Sequence, residues 1–193
     1  RQFAKAQGLE LLEVESNLHA LIPLQLELQH TYRTPFVLFC LQRVISAYCY
    51  ASDISFAEFD LTKHTVYCGY YDLLSLSAFS IPGLRLYSEG AALSRYDKTR
   101  NVTSYPPSRE HLNVCFWVRS TGPNCTVFCE KCRRTVLTLD SLGALDQYSS
   151  VFDLNLYRQN QIMVLRESIK QYARGKTFYD PIVPFLRRQK PFL

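Results

Sequence analysis

The chain has 193 residues, a net charge of +5, and 47% hydrophobic and 13% aromatic content. That length suits one ordinary domain with or without a small appendage, and the apolar share excludes a disordered polypeptide. With only seven glycines and neither a G-x-x-x-x-G-K nor a G-x-G-x-x-G, a glycine-rich phosphate loop is excluded; no apolar run approaches the roughly 20 residues of a membrane span, and the N-terminus lacks a signal-peptide pattern.

Residues 1–22 have no clean period. Leu24, Leu26 and Leu28 alternate with polar neighbours as a half-buried strand would. Phe36–Cys40 reads as a strand covered on both faces. Val44–Tyr50 and Thr65–Tyr71 read as further strands, and Leu84–Tyr87 as a short one after the Ile81-Pro82-Gly83 turn. A polar loop follows over Tyr96–Ser108. Leu112–Arg119 and Thr126–Phe128 read as strands around a turn, and Thr135–Leu139 and Val151–Leu156 as a pair bracketing Gly143. Near Asn160–Arg174 the stripe Ile162, Leu165, Ile169 and Tyr172 predicts a helix, with Gly175 as its stop. The prolines after it extend the chain over Phe178–Phe185.

These elements predict a β-rich α+β domain over 1–157, a compact mixed sheet with a zinc knuckle at 111–132. Residues 158–193 form a basic C-terminal helix and extended tail packing on it. The tail carries Arg158, Arg166, Lys170, Arg174, Lys176, Arg187, Arg188 and Lys190 against Glu167 and Asp180, and so holds the whole charge surplus. A basic face suits nucleic acid, an acidic protein or an anionic membrane surface.

Seven cysteines are an odd number, which disfavours a fully paired disulfide framework. Cys129-x-x-Cys132 bends two sulfurs to one side, and a structural zinc needs four such Cys or His ligands. Cys125, Cys115 and His111 are candidates to complete the set, with His64 and Cys68 competing. Cys40 and Cys49 read as core residues, and His19 and His30 as surface or structural. Glu130 lacks the preceding His of the deaminase pattern, and no local signature marks a cysteine nucleophile. Two sequons, Asn101-Val-Thr103 and Asn124-Cys-Thr126, oppose the intracellular, reduced setting that the cysteines favour.

The string Phe116-Trp117-Val118-Arg119-Ser120-Thr121-Gly122-Pro123-Asn124-Cys125 resembles the R-F-I-N-H-S-C-x-P-N segment of SET domains. Val136–Leu139 and Val151–Leu154 resemble that family's closing strands, over about a quarter of the chain in all. Val118 and Arg119 stand where active members place the Asn-His pair that contacts S-adenosylmethionine, and Leu154 stands at the aromatic Tyr. The resemblance therefore implies a pseudo-enzyme, a chromatin-associated module for protein–protein interaction, with a divergent lysine methyltransferase as the alternative. Trp117, Arg119, Arg133, Arg134, Arg187 and Arg188 supply the aromatic and cationic groups that nucleic acid or a nucleoprotein partner requires. The expected protein is thus a zinc-stabilised, non-catalytic interaction module in a nuclear setting, alone or in a larger complex.

Overall fold

A computed structural model describes residues 1–63, 65–117 and 124–184. The chain divides into two units, Arg1–Ser94 and Arg95–Leu193. None of its helices is long and apolar enough to cross a membrane, among the described residues.

In the first unit, short helices α1 (Gln2–Ala6) and α2 (Leu18–Leu21) precede the 15-residue α3 (Leu26–Cys40). Strand β1 (Ala47–Ala51) then pairs in parallel with β2 (Arg85–Glu89), Tyr48 facing Leu86. Parallel strands require a crossover. Here a 3₁₀ turn at Cys68–Tyr71 and helix α4 (Asp72–Phe79) lie within it. Leu38, Leu76, Leu84 and Leu86 form the small core between these elements.

The second unit holds α5 (Arg95–Thr103), α6 (Ser108–His111), α7 (Glu130–Ser141) and α8 (Leu154–Ala173). Val136, Leu137, Leu139, Tyr148, Phe152, Val164 and Ile182 are all buried in one cluster. The 20-residue α8 starts at Asp153, whose carboxylate accepts the Leu156 N–H, and Gly175 beyond its end has φ +78°. The anticipated helix and its glycine stop are therefore present. Its buried stripe matches the anticipated one only at Leu165: Tyr157, Val164 and Ser168 face inward beside it, while Ile162 is 56% exposed. Tyr179, Ile182 and Val183 fold back into the core, so the proline-flanked stretch is not extended across its described residues.

The β-rich, mixed-sheet expectation is wrong. Among the described residues the one sheet is the two-stranded pair β1–β2. The apparent alternation at Leu24 and Leu26 leaves both largely exposed, and from Leu26 on, Phe36–Cys40 included, the segment winds into α3, buried along Thr31, Pro35 and Leu38 at helical spacing. Thr135–Leu139 lies in α7, whose Val136–Leu139 are buried side by side; a fully buried run looks the same from sequence in either conformation. Thr65–Tyr71 ends in the 3₁₀ turn, and Leu112–Trp117 and Thr126–Phe128 are irregular. Two strand expectations hold in part, as β1 and β2. Cys40 and Cys49, expected in the core, are exposed.

Helices α7 and α8 are pinned by a polar contact. Tyr157 donates to Asp140 Oδ2 at 2.7 Å, and Gln161 Nε2 approaches the same oxygen at 3.3 Å. Burial first, then the hydrogen bond and charge of Asp140, push the Tyr157 phenol well above its usual value. An unfolded chain releases this proton near pH 10 while the folded one keeps it, so this contribution is complete below about pH 10 and is lost as pH rises. Tyr157→Phe should lower stability by about 1–2 kcal/mol at neutral pH and flatten the alkaline decline, as read by thermal unfolding at a series of pH values.

Candidate metal centre

Four of the sulfurs expected to ligate converge. The Sγ atoms of Cys115, Cys125, Cys129 and Cys132 all lie within 4.8 Å of one another, and three of the four residues are buried. These thiols could hold a metal ion. A tetrahedral ion with metal–sulfur bonds near 2.3 Å needs sulfurs about 3.8 Å apart, so the cluster closes on an ion with small side-chain rotations. His111 ends α6, is exposed, and does not join the group. Cys68 lies in the other unit, and His64 falls outside the described residues.

Local structure explains the convergence. Cys129 is the N-cap of α7, its sulfur accepting the Cys132 N–H at 3.4 Å, which puts Cys132 in the first helical turn beside it. Cys125 sits one turn back, and its sulfur accepts the Cys129 N–H at 3.3 Å. Between them Thr126 takes φ +58°, a strained conformation for a β-branched residue. Its hydroxyl donates to the Asn124 carbonyl at 3.3 Å and accepts the Asp153 N–H at 2.9 Å, which holds the turn in place. Arg133 closes it by donating to the carbonyls of Val127 and Phe128.

Cys115 arrives from a separate segment, and Asn124 fastens it. The Asn124 Oδ1 accepts the N–H groups of Val114 at 2.7 Å and Cys115 at 3.1 Å, while Nδ2 donates to the carbonyls of Leu112 and Val151. Sequence reasoning assigned this asparagine to a sequon and missed its role. With Nδ2 so engaged and the residue 8% exposed, a glycan at Asn124 is incompatible with this geometry. Asn101, in the other sequon, is exposed on α5.

The thiols share their protons unequally. Burial acts to raise Cys129, but the backbone N–H groups of Phe116 and Cys132 and the neighbouring thiols outweigh it and bring it down to about 7. Cys115 is likewise lowered against burial, by the N–H groups of Cys125 and Trp117. Burial pushes Cys125 and, far more, Cys132 upward, reinforced for both by hydrogen bonds to neighbouring thiols. Two sulfurs are thus shifted toward the thiolate and two toward the thiol, an imbalance that a bound cation would resolve by displacing the remaining protons.

A cleft of about 390 Å³ adjoins Cys115, with Arg95, Lys98, Lys131 and Arg134 in its lining. Among the described residues that line it there is no carboxylate. Lys131 also stands 4.3 Å over the Phe116 ring, and the Arg134 guanidinium 5.2 Å over Phe178. Of the expected contact residues, Arg134 lies in this cleft, Trp117 is 50% exposed near it in sequence, and Arg133 is committed to the turn. Arg119, Arg187 and Arg188 lie outside the described residues, as do 118–123 of the segment resembling SET domains. Arg95, Lys98 and Lys131 were missed, although Lys131 stands inside the Cys-x-x-Cys itself.

Asn124→Ala leaves all four thiols in place but releases Cys115, and should weaken metal binding by about 10- to 100-fold. Competition between the protein and a chromogenic chelator for cobalt(II) checks this. Comparison of the chain with protein-family models, with curated proteins and with solved structures returns no match.

Proposed function

We propose that the chain is a zinc-stabilised, non-catalytic interaction module that binds nucleic acid in a nuclear or nucleoprotein setting. The supporting observation is the four-cysteine cluster abutting a cleft lined by Arg95, Lys98, Lys131 and Arg134. An all-thiolate set favours zinc among the common divalent ions and leaves no open position for catalysis. Arg95, Lys98, Lys131 and Arg134 gathered in one cleft attract a polyanion, and Phe116, Phe178 and Trp117 add aromatic faces for bases. A bound zinc would keep the cleft in shape, since Cys115 belongs to both.

The purified protein should carry one zinc per chain. Cys129→Ser or Cys132→Ser should abolish its retention and cost on the order of 4 kcal/mol of stability, the scale of losing a structural metal. Unchanged zinc content and thermal midpoint would remove the structural site.

Nucleic-acid binding is read by fluorescence anisotropy with single-stranded and duplex probes across a salt series. The logarithm of the affinity should fall linearly with the logarithm of salt, and Lys98→Ala should reduce that slope by about 1. Affinity for an acidic peptide but for neither probe would instead assign the cleft to a protein partner.

A further inference from the structure

We infer that Cys68, His30 and Asp53 of the first unit form a thiol acyl-transfer site, with Cys68 as nucleophile, His30 as its base and Asp53 as the group that orients the imidazole. The Cys68 sulfur lies 3.2 Å from His30 Nδ1, and His30 Nε2 lies 3.1 Å from Asp53 Oδ2. This is the relay that nucleophilic catalysis requires, a nucleophile in reach of a base whose far side is held by a third group. The Asp53 carboxylate at Nε2 and the Leu26 carbonyl at Nδ1 both only accept, so the imidazolium satisfies both; in the neutral ring that keeps the proton on Nε2 for Asp53, Nδ1 is the nitrogen that takes the thiol proton. The Tyr67 hydroxyl also donates to Asp53 Oδ2, at 2.8 Å, which holds the carboxylate, and the Asp53 N–H donates to Asp72 Oδ2 at 3.0 Å, which anchors its backbone.

Two features favour charge separation between sulfur and ring. The Thr31 N–H points at Cys68 Sγ from 3.4 Å, as a donor to a thiolate would, and the Leu26 carbonyl lies 3.0 Å from Nδ1, ready to accept from an imidazolium. The next residue in the chain is shaped by the same relay. A Cβ on Gly69 would stand 2.7 Å from Asp53 Oδ2 and 2.9 Å from His30 Nε2, so a side chain there would drive the pair apart. The three groups run in line through the ring rather than converging on a point, and among the described residues they form no metal-holding cluster. Other titratable groups near them are Tyr67, Asp72 and Tyr50, whose phenol feels the charge of Asp53, Asp72 and Cys68.

The reaction this arrangement supports begins when Cys68 Sγ attacks the carbonyl carbon of an ester or thioester, passing its proton to His30 Nδ1. The tetrahedral oxyanion collapses, the alcohol or thiol leaves with that proton, and an acyl-thioester remains. Water then attacks the thioester while Nδ1 takes one of its protons, and the departing Cys68 sulfur recovers that proton as the acid is released. Cys68 is only 3% exposed, whereas the side chains of His30 and Asp53 are 21% and 29% exposed. The site therefore takes a small acyl group presented past the imidazole edge.

Cys40 and Cys49, exposed in the same unit, are built-in references, and Arg43 and Lys63 separate all three cysteines on tryptic cleavage. The 193-residue protein is treated at pH 7 with limiting iodoacetamide, and separately with 4-nitrophenyl acetate, and the modified peptides are quantified by mass spectrometry. An ordinary thiol is only a few per cent thiolate at that pH, so Cys68 should react about tenfold faster than either reference despite its burial. His30→Gln should remove that advantage, and Asp53→Asn should displace the rate–pH profile of Cys68 while leaving those of Cys40 and Cys49 unmoved. Reaction of wild-type Cys68 no faster than the references overturns the proposal without recourse to any variant. An unaltered rate in a folded His30→Gln protein does so as well.

Discussion

The second unit depends on four sulfurs being held within 4.8 Å of one another at the start of α7. Such a cluster is expensive to assemble with thiols alone, because neighbouring thiolates repel and buried ones lose hydration. The split between lowered Cys115 and Cys129 and raised Cys125 and Cys132 expresses that cost. Cys125, Cys129 and Cys132 belong to the same buried cluster as Val136, Leu137 and Leu139. Whatever fixes the sulfurs therefore also fixes the first turn of α7 and, through it, the surface against which α8 packs.

Around this cluster the backbone supplies the donors and the side chains the fastening. The N–H groups of Cys129 and Cys132 are aimed at the sulfurs of Cys125 and Cys129, and Asn124 ties the segment bearing Cys115 to the segment bearing Cys125 with three hydrogen bonds and to Val151 with a fourth, all from one amide group. The left-handed backbone of Thr126 is the strained point of the assembly. Strain of that kind persists only where the surroundings over-determine it, and here two hydroxyl contacts and the flanking cysteines do so.

The local half of this centre was legible in the sequence and the non-local half was not. Cys129 and Cys132 are three residues apart, a spacing that forces their sulfurs together on a capped helix start. Cys115 and His111 looked alike as third and fourth ligands, because the choice depends on an asparagine whose partners are 9 to 27 positions away. The fold was misread for a related reason. Alternation at Leu24, Leu26 and Leu28 is a short-range pattern, whereas α3 is decided by the longer set Thr31, Pro35 and Leu38 that meets the core. In α7 every residue from Val136 to Leu139 is buried, so neither period is visible.

The same limit separates the two kinds of cysteine in this chain. His30 and Cys68 are 38 positions apart and share no motif; helix α3 and the 3₁₀ turn before α4 bring them into contact, and Gly69 leaves room for the imidazole between sulfur and carboxylate. Chemistry then follows from how the partners are arranged. Sulfurs that converge on a common point compete for the same protons and are reconciled by a cation. A single sulfur whose one basic neighbour is itself held from behind has a defined place to send its proton. Burial of a thiol is common to Cys68 and Cys132 and decides nothing by itself; the partner on the other side of the sulfur sets the difference between a ligand and a nucleophile.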